Sequence, residues 1–160
     1  MINLSDKHII TFDDLSNNEI LSIFETADDI NTNPSKFFGQ ASGKIAATLF
    51  YEPSTRTRLS FESAVQKLGG GIISAWDVNA SSASKGESLA DTARVVSSYS
   101  DIMVIRHPWE GASRLAAEYS TVPVINAGDG SHEHPTQTLC DLYTLRERHG
   151  SLKGLNVAIC

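Results

Sequence analysis

Residues 44–62 read KIAATLFYEPSTRTRLSFE. The first eight form an apolar run short enough for a buried strand, and the hydroxyl-rich PSTRT behind them is a helix start. Ser54 or a neighbour caps a helix whose Leu59, Val65 and Leu68 are expected to face inward, with Gly69 to Gly71 as its flexible stop. A strand that turns directly into a helix is half of a βαβ unit, so the fold class follows if the pattern recurs on either side.

It recurs downstream. GIISAWDV (71–78) reads as a second strand, and Ser88-x-x-Asp91 opens a helix with Leu89, Thr92, Val96 and Tyr99 on one side. DIMVIR (101–106) is a third strand, HPWEGASRLAAEYS (107–120) a turn and short helix, and VPVINA (122–127) a fourth strand. The polar loop GDGSHEH (128–134) leads into a helix beginning at Pro135, whose missing N–H is no loss at the first helical position; His134 is then the N-cap. LNVAIC (155–160) begins a fifth strand. Upstream, Ser16-x-x-Glu19 is a capping box, Leu15 and Ile20 stand at staple positions, and Ile20, Ile23, Phe24 and Ala27 make one apolar face, which predicts a helix from Leu15 to Ile30. The expected fold is α/β: three layers, a mostly parallel sheet of about four strands with helices on both faces.

Composition narrows the function. Hydrophobic residues at 41% and charged residues at 20% of 160 are ordinary globular usage, so a self-supporting core is expected. The net charge of −6 argues against a broad nucleic-acid or anionic-membrane surface, and any anion site must be local. Cys140 and Cys160 are too far apart for a CxxC pair and too few for a disulfide framework. MINLSDKHIITFDDLS has no basic stretch followed by an apolar run, and no segment reaches bilayer-spanning length; a reducing cytoplasm is the expected location. Walker, GxGxxG and GxSxG motifs are absent.

The polar clusters STRTR, SSASKGE, RHPWEGA and GDGSHEHPTQ each directly follow an expected strand. Ligands of open α/β sheets bind outside the carboxyl ends of the strands, so these clusters are expected at one edge. At the STRTR corner a helix N-terminus, hydroxyl donors and a planar guanidinium suit a small phosphate-bearing anion. Arg56 is assigned to the ligand and Arg58 to a structural pair. The same hydroxyls also serve as plain caps, and the stretch alone does not separate the two readings. Lys85 closes over a dianion as a lid or is simply solvated; Arg106 reaches the same pocket or pairs with an acid such as Glu110. His134 and Gln137, one turn apart, are placed to aim an imidazole and an amide at a carbonyl. His132 and His134 lack a third ligand at metal spacing, so no metal is assigned, and His8 and His149 are read as surface residues.

Together FYEPSTRTRLSFE, SSASKGESLADT, VIRHPWEGASRLA and VPVINAGDGSHEHPTQTLCDLYT resemble the carbamoyl-phosphate-binding half of the aspartate carbamoyltransferases. Ornithine carbamoyltransferases share STRTR and HP-x-Q, but typically carry lysine where Glu52 stands and lack RHPWEGA. The resemblance implies that Ser54, Thr55, Arg56 and Thr57 bind phosphate and that Arg106, His134 and Gln137 contact the carbamoyl group. It further implies a homotrimer in which Ser81 and Lys85 enter a neighbouring subunit's site. The implied reaction joins carbamoyl phosphate to L-aspartate, a step of pyrimidine biosynthesis that needs neither cofactor nor metal. Family members add a second α/β domain that binds aspartate, which Glu52 helps bridge. Residues 1–149 are therefore expected to be the carbamoyl-phosphate-binding domain and 150–160 the start of the second, so this chain alone should bind ligand with little turnover. The alternatives are a non-catalytic phosphate-binding or assembly module, or an ornithine carbamoyltransferase-like domain.

Overall fold

The computed structural model describes residues 4–75 and 86–158. Four parallel strands form one sheet in the order β2-β1-β3-β4: β1 Ile45–Phe50, β2 Gly71–Ala75, β3 Ile102–His107 and β4 Val124–Asp129. Among the described residues five α-helices connect and cover it: α1 Asn17–Thr32, α2 Thr55–Lys67, α3 Leu89–Ser97, α4 Ala112–Tyr119 and α5 Pro135–His149. Among the described residues, no helix is long and apolar enough to cross a membrane.

Alternate strand residues feed different clusters, as the period-2 pleat requires. Ala47, Leu49, Met103, Ile105 and Val124 pack with Ala93 of α3 and Ala116 of α4. Phe50, Val104 and Ala127 pack instead against Phe61 of α2. Helices therefore cover both faces. A third cluster joins Leu15, Ile20 and Phe24 to Leu139, Leu142 and Tyr143 of α5, and Arg146 and Tyr143 both reach Asp28 across this seam.

The local start signals act as the residues predict. Ser16 and Glu19 complete the capping box of α1, the Ser88 side chain accepts from the Asp91 N–H, and His134 caps α5 with Pro135 at its first position. Other expectations need correction. Leu59 is 57% exposed, because α2 is phased by Phe61 against the sheet and by Glu62, whose carboxylate receives Thr48, Ser74 and Arg58. Tyr99 is 62% exposed, since α3 ends at Ser97 and packs through the small, buried Ala93 and Ser97. His8 is structural: its Nδ1 accepts from the Val124 N–H at 3.1 Å. Its neighbour Ile9 bridges Ile125 in parallel, which covers the outer edge of β4. Residues 155–158 form no strand, and the second strand is described only as far as Ala75.

Candidate functional site

The carboxyl ends of β1, β3 and β4 meet at an open cleft of about 1120 Å³, lined by Ser54, Thr55, Arg56, Thr57, Arg106, His134 and Gln137 among others. All seven described candidates therefore share one cavity. Ser81 and Lys85 lie outside the described residues.

The β1 side is an open corner. Ser54 stands at the N-cap of α2, yet its hydroxyl makes no cap bond, so no cap side chain occupies the first-turn N–H groups. Arg56 is exposed and forms no ion pair among the described residues, whereas Arg58 bonds Glu62 at 2.9 Å. Arg58 thus makes the structural pair expected of it, while Arg56 lines the cleft.

Arg106 closes the opposite wall. Its side chain is 20% exposed; Nη2 meets Glu52 at 3.4 Å and Nη1 donates to the Ala127 carbonyl at 3.3 Å. The buried Nε has no partner among the described residues. A partly buried guanidinium with long bonds and one unmet donor is under-satisfied, which suits it to receive an anion. Its partner is Glu52; Glu110 instead accepts from Ser131. Opposite Arg106 the β3–β4 register slips between Ile105 and His107, and Gly128 has φ +118. A Cβ there would sit 3.2 Å from Arg106 Nη1, so glycine lets the guanidinium lie against the bulge.

His134 has its pKa lowered, first by desolvation and then by the charge of Arg106. Its Nδ1 accepts from the Gln137 N–H at 3.3 Å and lies 3.2 Å from the Thr136 hydroxyl. A neutral ring that accepts at Nδ1 carries its proton on Nε2 and can donate from there. Gln137 donates to Asp141 at 3.0 Å, leaving its Oε1 to accept. Ser60, Phe61, Ala64, Thr136 and Cys140 also line the cleft. Helical spacing from Arg56 and Gln137 points to Ser60 and Cys140, which lie outside the motifs that mark the other candidates.

Residues 7–147 match the family model described as aspartate/ornithine carbamoyltransferase, carbamoyl-P binding domain. The aspartate carbamoyltransferase catalytic subunit of Alkaliphilus oremlandii is 54% identical over 157 residues, 98% of this chain and 47% of the relative. The solved catalytic subunit of M. jannaschii aspartate transcarbamoylase superposes with a TM-score of 0.85 at 54% identity, covering 93% of this chain and 49% of that one. The Trypanosoma cruzi aspartate transcarbamoylase, solved with carbamoyl phosphate and aspartate, gives a TM-score of 0.88 at 38% identity over 95% of this chain and 51% of its own. The chain thus spans about half the length of the relatives it matches.

Proposed function

This chain belongs to the family of aspartate/ornithine carbamoyltransferase carbamoyl-P binding domains, and we propose that its cleft binds carbamoyl phosphate as one half of an aspartate carbamoyltransferase. One observation carries the reading: Arg56, Arg106 and His134, from three separate strand–helix junctions, line one cavity. The relatives at 53–56% identity are aspartate enzymes, which favours aspartate over ornithine as acceptor.

In this reading Ser54, Thr55, Thr57, Arg56 and the first turn of α2 hold the phosphate. The Thr57 hydroxyl, Arg106 and His134 Nε2 donate to the carbamoyl oxygen, while Gln137 Oε1 accepts from the carbamoyl NH₂. The amino nitrogen of aspartate, as the free amine, attacks the carbonyl carbon; the new C–N bond forms, the C–O bond to phosphate breaks, and the proton shed by the nitrogen leaves on the departing phosphate. Negative charge gathers on the former carbonyl oxygen and on the departing phosphate. Each donor aimed at such an oxyanion is worth about 10²–10³ in rate. Orientation and electrostatics supply the rest, so no covalent nucleophile is required.

The binding unit is residues 1–149, and acceptor binding falls to the portion of the relatives that this chain does not span. Ser81 and Lys85 reach a neighbouring copy's cleft in a homotrimer. The cytoplasm is the compartment, and the product, N-carbamoyl-L-aspartate, feeds pyrimidine synthesis.

Calorimetry with carbamoyl phosphate tests the site: saturable binding that weakens in Arg56→Ala is expected, and no heat at millimolar ligand removes the assignment. Mixing the chain with the separately expressed aspartate-binding half of a relative tests the activity. Carbamoyl-aspartate should form, and failure with aspartate alongside turnover of ornithine would reverse the acceptor.

A further inference from the structure

Asp129 is 1% exposed and has no part in the chemistry above. Its Oδ2 accepts from the Gly111 N–H at 2.9 Å, in the connection that follows Arg106. Its Oδ1 accepts from the Glu133 N–H at 3.1 Å, immediately before His134, and from Asn126 Nδ2 at 3.0 Å. His132 Nδ1, on the exposed side, lies 3.6 Å from the same oxygen. Main-chain bonds follow the same route: Gly130 N–H to the His107 carbonyl at 2.9 Å and Asp129 N–H to the Glu133 carbonyl at 3.2 Å.

A carboxylate this deeply buried persists because N–H donors satisfy it, and an apolar side chain in its place would leave the Gly111 and Glu133 amides without that acceptor. What the carboxylate alone provides is two acceptor oxygens on one rigid plane. They fix the Gly111 and Glu133 amides relative to each other, and those amides belong to the two loops that deliver Arg106 and His134 to the cleft.

We propose that Asp129 is a positioning residue: by accepting from both loops at once it sets Arg106 and the His134 cap in mutual register, whereas the α2 corner keeps its geometry without it. The inference rests on reading the cleft as a carbamoyl-phosphate site. Asp129→Asn keeps the shape but sets an NH₂ donor against one of the two amide donors, and so loosens one loop.

The test compares Asp129→Asn with Ser113→Ala. Ser113 is fully buried and donates to Asn126 Oδ1 at 3.0 Å in the same polar cluster, so its loss reports plain destabilisation. Three quantities are read: thermal midpoint, carbamoyl-phosphate affinity, and the ¹H–¹⁵N signal of the Gln137 amide that donates to His134. Both variants should melt earlier, but only Asp129→Asn should weaken affinity at least tenfold and move the Gln137 amide signal. Equal affinity in the two variants with an unmoved Gln137 amide overturns the proposal. Should the unaltered chain bind no carbamoyl phosphate, the reading of the cleft fails, and the Gln137 signal in Asp129→Asn still decides: moved supports positioning, unmoved ends it. If Asp129→Asn does not fold, amide exchange in the unaltered chain takes its place. Ligand should slow exchange at Gly111 and Glu133 at least tenfold, and unchanged rates overturn the proposal.

Discussion

The α2 corner meets solvent with donors that internal bonds leave open, while the β3–β4 wall delivers Arg106 and His134 out of a buried polar cluster. At the corner Ser54 makes no cap bond and Arg56 has no acidic partner among the described residues. At the wall Arg106 rests against Ala127 and Glu52, and His134 follows a loop tied to Asp129. Binding and folding are therefore separable on one side of the cleft and coupled on the other. A change at the corner should reduce affinity alone; a change at the wall should reduce affinity and stability together.

The largest effect is expected for Arg106→Ala. Losing its charge-assisted hydrogen bonds should weaken carbamoyl-phosphate binding roughly a hundredfold. Glu52 also loses its partner, so the thermal midpoint should drop. A normal midpoint in this variant would show that binding and folding are not coupled at the wall. Arg56→Ala should cost about tenfold in affinity, since one exposed arginine is removed, and leave the midpoint unchanged. A melting shift there would show that the corner also supports the fold.

Glu62→Ala should do the opposite, reducing stability with little effect on binding. Thr48, fully buried, together with Ser74 and Arg58 would lose a shared acceptor, costing about 1–3 kcal/mol in denaturant unfolding. Affinity should stay within about twofold, because none of those groups lines the main cleft and one lost internal acceptor removes no ligand donor.

The smallest effect concerns pH. Burial lowers the pKa of His107, and burial together with the charge of Arg106 lowers that of His134, both from 6.5. The unfolded chain therefore takes up these protons first as pH falls. Stability should be undiminished above about pH 6.5, decline below it, and level off once the folded imidazoles also titrate. Midpoints measured from pH 7.5 to 5 check this, and a rise on acidification would contradict it.

Much of the fold is legible because its signals are local. KIAATLFY, DIMVIR and VPVINA are apolar runs of strand length, and Ser16, Ser88 and His134 cap the helices that their sequence contexts mark. The phase of α2 is not local: Leu59 and Phe61 are equally apolar, and only the sheet chooses Phe61. The Glu52–Arg106 pair joins different strand ends, and the Ile9–Ile125 bridge links the N-terminal segment to β4, so neither leaves a periodic trace. GDGSHEH reads as a polar loop, and nothing in its pattern marks that its aspartate is among the most buried polar side chains. The candidate residues were legible as types that follow strands; how tightly each is held was not.

The most direct test of the central claim is a crystal structure of this chain with carbamoyl phosphate. One ligand molecule should lie within hydrogen-bond distance of Arg56, Arg106 and His134 at once, bridging the open corner and the buried wall. A ligand seated elsewhere, or touching only one side of the cleft, would contradict the account.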